Sequence, residues 1–154
     1  MGRRRRVPDD GRERLRARLL TAGGEIIAAA EALDQEAALR RERSEYDLMA
    51  GALEQAGLAW AEAGELPRAA DRLYRAARVQ QAQGQSLAAL TLLRSAEEAA
   101  AAAGGASGAG SGPSPLQGRI ADLRAELVRA LSSEEEALAL QQGLLTGEPQ
   151  AGGE

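Results

Sequence analysis

An all-α fold of antiparallel helical hairpins is expected for this 154-residue chain, and three features carry the expectation. Alanine fills 35 positions; it has the highest helix propensity of any residue and lets helix axes approach closely. Aromatic residues make up only 2% and phenylalanine is absent, so side chains that strands favour are scarce. Apolar residues recur at steps of three and four, and Gly or Pro punctuates the segments that show this period. One domain with a thin, alanine-rich core and flexible ends is the expectation at this length.

Taken in order, residues 1–10, with Arg3, Arg4, Arg5 and Arg6, read as a basic disordered tail. Asp10 followed three residues on by Glu13 is like a capping box. Leu15, Leu19, Ala22, Ile26, Ala29 and Leu33 then mark a helix over about 11–33, with Gly23 and Gly24 as the place for a kink or break. The charged stretch 34–43 completes this N-terminal unit as exposed helix or connector. Ser44 with Asp47 reads as the N-cap of a second helix, whose stripe is Leu48, Met49, Leu53, Ala56 and Trp60 and whose stop is Gly64. Pro67 suits the first turn of a third helix, which runs to about Gln83 and is closed by Gly84. Helices joined by so short a connection must pack antiparallel. Ser86 opens a further helix, with Leu87, Leu90 and Leu93 on one face and an alanine run ending at Ala103, so 44–103 is a hairpin plus a third helix.

Residues 104–115 hold only Gly, Ser, Ala and Pro, the composition of a flexible linker. The C-terminal helices occupy 116–145. Leu116, Ile120, Leu123, Leu127 and Leu131 form the stripe of the first. Ser132 and Ser133, each three residues before a Glu, cap a short last helix of about 134–145, which places Glu134, Glu135 and Glu136 at the positive end of its dipole. Residues 146–154 read as a disordered tail.

Composition removes whole chemistries. The chain has no Cys, His or Lys, and all 19 basic residues are Arg. Disulfides, thiolate nucleophiles, imidazole acid–base catalysis, lysine Schiff bases and metal sites built on Cys or His are impossible within it. No enzyme activity, metal or cofactor is expected. The glycines at 104–112 lack the lysine and preceding strand of a phosphate-binding loop. No apolar run is long enough to span a membrane, and the arginine-rich start has no clean apolar segment behind it. A cytoplasmic location is expected, and Arg in place of every Lys points to a GC-rich, bacterial source. Charge is uneven: residues 1–43 hold 11 Arg against 8 acids, and residues 44–154 hold 8 Arg against 15 acids.

Over 50–83, Leu53, Ala56, Gly57, Trp60, Gly64, Ala69, Leu73 and Ala76 fall at the spacing of a helix–turn–helix repeat. The segment resembles one tetratricopeptide repeat. The resemblance implies that the two helices touch at Gly57 and Ala69, where only small side chains let the axes close, with Trp60 and Leu73 filling the space beside the contact. One period of 34 residues further on, Leu87 and Leu90 match the first apolar positions, but Thr91 stands for the glycine and Arg94 for the aromatic. A degenerate second repeat is expected there, with 104–115 as an insertion.

The family acts by presenting a concave groove to a peptide or helix, so the resemblance implies a scaffold or adaptor. Its groove positions correspond to Glu54, Leu58, Glu62 and Leu92. Glu54, Gln55 and Leu58 stand where the subclass that grips a terminal carboxylate carries basic and amide residues. An acidic and apolar groove suits a helix with apolar anchors and a basic flank, from a protein partner or a second copy, because repeats bury their apolar faces only against neighbours. A second reading is nucleic-acid or anionic-surface binding through Arg3 to Arg6 and Arg12, Arg14, Arg16 and Arg18. That cluster lacks interleaved aromatics, and the whole chain carries a net charge of −4.

Overall fold

The computed structural model describes residues 12–107 and 112–146, with side chains over 22–105 and 112–143. Among the described residues there are five helices and no strand: α1 (Arg12–Glu42), α2 (Tyr46–Glu62), α3 (Leu66–Ala82), α4 (Ser86–Ser107) and α5 (Pro115–Thr146). Each helix packs against the next in sequence, and α3 also meets α5. The tails expected at 1–10 and 146–154 lie outside the described residues except for Thr146, which is the last residue of α5 and not part of a tail.

The first three connections are copies of one turn. Helices end at Glu42, Glu62 and Ala82 and restart at Tyr46, Leu66 and Ser86. In each turn a residue with positive φ follows the C-cap: Ser44 (57°), Gly64 (84°) and Gly84 (76°). Each closes two backbone bonds. Gly64 N–H donates to Ala61 O (3.0 Å) and Glu65 N–H to Trp60 O (2.8 Å), with the same pair from Ser44 and Glu45 to Arg41 and Arg40, and from Gly84 and Gln85 to Gln81 and Gln80. These bonds satisfy carbonyls that a helix end leaves unpaired, the pattern of a Schellman motif. Ser44 is therefore a left-handed turn residue, not the expected N-cap; Glu45 stands at that position and makes no side-chain cap bond.

The repeated turn sets the packing register. Helix starts at Tyr46 and Ser86 lie 40 residues apart, whereas the expected second repeat assumes a 34-residue step. Six residues rotate a helix by about 240°, so the shorter step lands on the wrong face. Leu87 is 68% exposed, and Thr91 and Arg94 are exposed too. The 40-residue step carries Leu53, Ala56 and Trp60 onto Leu93, Ala96 and Ala100, all of them buried. Gly57 lies against α3: a Cβ there would come 2.7 Å from Leu73 Cγ and 3.3 Å from Ala69 O. Ala69, Leu73 and Ala76 are buried on the facing side of α3.

Helix α1 is unbroken through Gly23 and Gly24 and does not stop at residue 33. Of the two readings of 34–43, helix and connector, helix holds through Glu42, because Ala30 and Ala37 are buried on the side that carries Leu33 into the core; Arg43 begins the turn. Helix α4 likewise continues through 104–107, so the expected linker loses its first four residues to helix; 108–111 lie outside the described residues, and 112–114 have no regular structure. Helix α5 opens with a capping box: Gln117 N–H donates to Ser114 Oγ (3.2 Å) and Ser114 N–H to Gln117 Oε1 (2.8 Å). Ile120, Leu123 and Leu127 bury against the bundle. No new helix begins at Ser132, whose hydroxyl donates back to Val128 O (3.0 Å) and leaves α5 continuous.

A candidate binding cleft between α1 and α3

Asp34 of α1 stands where the first three helices meet. Trp60 of α2 donates its indole N–H to Asp34 Oδ2 (3.1 Å), and Arg72 of α3 donates from Nε to Oδ1 (2.8 Å) and from Nη2 to Oδ2 (3.2 Å). Arg72 also pairs with Asp71, whose carboxylate accepts from Arg75 Nε (3.1 Å). The hydrogen bond with Asp34 is the largest cause that raises the Arg72 pKa above its ordinary value, outweighing the opposing effect of burial. Arg68 covers the outer face of the Trp60 ring, its guanidinium carbon 4.7 Å from the centroid. Together these groups fasten α1 to α3 across the end of α2.

Beyond this tie a cleft opens between α1 and α3, with the first turns of α2 as its floor. Its inner part, about 500 Å³, is lined by Asp34, Ala37, Ala38, Arg41 and Glu42 of α1, Met49 and Leu53 of α2, and Arg72 and Arg75 of α3. Its outer part, about 340 Å³, shares Arg41 and Met49 and adds Tyr46, Arg78, Val79, Ala82 and Gln83. Four arginines thus face two acids around an apolar floor. Arg72 and Arg75 already have acidic partners; Arg41 and Arg78 have none among the described residues, Arg78 bonding only to Tyr74 Oη (3.1 Å). Gln83 Oε1 is buried at the outer end without a hydrogen-bond partner.

The groove positions implied by the repeat resemblance are elsewhere. Glu54, Leu58 and Glu62 follow one another along the side of α2 turned away from Met49 and Leu53, with Leu58 49% exposed. Leu92 does not join them. It is 7% exposed and belongs to the core, because the turn register rotates it inward. Of the arginine cluster, Arg3 to Arg6 lie outside the described residues, while Arg12, Arg14, Arg16 and Arg18 fall on the first turns of α1. The cleft itself had one signal in the sequence. Arg72, Arg75 and Arg78 recur every three residues along α3, the spacing of a single charged face.

Among the described residues no three acids come together where a metal ion could be held, and no helix is long and apolar enough to cross a membrane. Comparison of the chain with family models, curated proteins and solved structures gave no significant match.

Proposed function

We propose that the chain is a non-enzymatic protein–protein interaction module, a scaffold or adaptor, and that its docking surface is the cleft between α1 and α3. The lining of the cleft carries this reading. Tyr46, Met49, Leu53 and Val79 offer an apolar floor, Met being adaptable in packing and Tyr suited to half-wet sites. Arg41 and Arg78 stand over that floor as unneutralised cations. The chemistry fits an amphipathic helix with apolar anchors and acidic flanks, laid along the gap between two parallel helices. That is the opposite charge preference from a groove on Glu54, Leu58 and Glu62.

The resemblance of 50–83 to a tetratricopeptide hairpin supports the same class of activity by analogy alone. It extends no further than that hairpin, since the 40-residue spacing of α2 and α4 departs from the family period.

Calorimetric titration with two synthetic amphipathic helices, sharing one leucine face but flanked by Glu or by Arg, tests the reading. The Glu-flanked helix is expected to bind with a Kd in the micromolar range, as for a small interface, and more weakly as salt rises. Arg41→Glu combined with Arg78→Glu should abolish that binding, and Leu58→Glu should leave it unchanged. Equal binding of both helices, or loss only with Leu58→Glu, would contradict the proposal.

A further inference from the structure

We infer that the helix received by the cleft is the outer half of α5 from a second copy of this chain, so that copies associate head to tail. The inference rests on the cleft being a docking site for an acidic helix. Its own support comes from the other end of the molecule.

Helix α5 has 32 residues, but among its described side chains the buried ones stop at Leu127, and every residue over 132–143 is exposed. At 1.5 Å per residue the part of α5 beyond Leu131 is about 20 Å of helix. It carries Glu134, Glu135 and Glu136 followed by Leu138 and Leu140, which are 56% and 60% exposed. Because α5 is continuous, these three acids sit in mid-helix, and the favourable interaction with a helix N-terminus that would account for them is absent. No Arg lies within four residues of any of them on either side, so no i,i+3 or i,i+4 ion pair balances them within the helix. On one face of this segment Glu134 and Glu135 lie one turn from Leu138, and that face, with acids beside an apolar anchor, matches clustered arginines over an apolar floor in the cleft.

The same molecule does not make this match, since 132–143 are exposed and the helix does not bend back. Cleft and helix end are different surfaces on one chain, so a match between copies is heterologous. Such contacts propagate into open chains unless the rotation closes a ring. Three to four turns of helix bury less than a standard interface, so association at about 10 µM to 1 mM, weakened by salt, is expected.

Sedimentation velocity across that range tests the inference, with two variants of the full chain whose folding is checked by circular dichroism. One carries Arg41→Glu and Arg78→Glu in the cleft; the other carries Glu134→Arg, Glu135→Arg and Glu136→Arg. All five positions are exposed. The unmodified chain should gain average mass with concentration, and each variant alone should stay monomeric. An equal mixture of the two should associate again into alternating chains, because the native α5 of one meets the native cleft of the other and the two changed surfaces also match in charge. The chain with all five changes should associate for the same reason. Loss in the α5 variant with none in the cleft variant would mean that α5 pairs with α5, and would overturn the inference. So would a monomeric wild type at every concentration, or a mixture that stays monomeric. Binding of the Glu-flanked peptide to a chain that never self-associates would leave the cleft reading standing and assign its occupant to a foreign protein.

Discussion

Helices α3 and α5 are both amphipathic, yet they are held very differently. Helix α3 has 17 residues and buries six of them, Ala69, Ala70, Leu73, Tyr74, Ala76 and Ala77, between α2, α4 and α5. Helix α5 has 32 residues and, among its described side chains, buries Ile120, Leu123 and Leu127. The stripe of α5 runs only from Leu116 to Leu131, and its buried side chains lie within that stretch. Burial here follows both the length of a helix's apolar stripe and the number of neighbours it has. Stability should therefore concentrate in the α2–α3–α4 part, leaving apolar and charged surface on α5 and along the α1–α3 cleft for binding.

The largest expected effect compares the two regions directly. Leu93→Ala removes a fully buried side chain and should cost about 3 kcal/mol or more, whereas Leu138→Ala should change monomer stability by less than about 0.5 kcal/mol. Urea unfolding of both variants measures the contrast, and equal losses would place α5 inside the cooperative core. Hydrogen exchange should agree, with amides of α3 protected to the level of global unfolding and those beyond Leu131 exchanging far faster.

Next in size is Gly57→Leu, which forces atoms into the space held by Leu73 and the Ala69 carbonyl; a loss of about 2–3 kcal/mol is expected. A thermal melt that does not move would show that α2 and α3 can separate at this point without cost. Asp34→Ala should cost about 2 kcal/mol, because it leaves the Trp60 indole N–H and the Arg72 guanidinium without their shared acceptor in a half-buried site. Asp34→Asn should recover part of that. If Asp34→Ala is neutral, α1 is not tied to α3 through this residue. The smallest change is Ser44→Gly, which replaces the one non-glycine with positive φ among the described residues. A gain of a few tenths of a kcal/mol, up to about 1, is expected in the same melts, since glycine takes this backbone region without strain.

The helices themselves were legible because their signals are local: Gly64 and Gly84 at the turns, Pro67 in a first turn, and alanine and leucine at three- and four-residue steps. The turn at Ser44 was misread because Ser is a common N-cap and a rare left-handed residue, so local preference pointed to the wrong role. The break expected at Ser132 failed for a related reason, since a serine hydroxyl can bond to its own helix as well as begin another. Ser114 and Gln117 carried a readable capping box that the Gly/Ser composition around them obscured. The site was hardest to read. A 34-residue step places Leu92 in a groove, whereas the 40-residue spacing of the helix starts turns it into the core. Asp34 looked like one charge in an exposed stretch, because its partners Trp60 and Arg72 are 26 and 38 residues away. The cleft depends on the spacing of α1 and α3 across a third helix, which no sequence period records.

The most direct test of that cleft is chemical-shift mapping by heteronuclear NMR, titrating the full chain with the Glu-flanked amphipathic peptide. The expected result is a set of shifts confined to 37–42, 46–53 and 72–83, with those of Arg41, Met49 and Val79 among the largest. Shifts centred on Glu54, Leu58 and Glu62, or none at all at saturating peptide, would contradict the account.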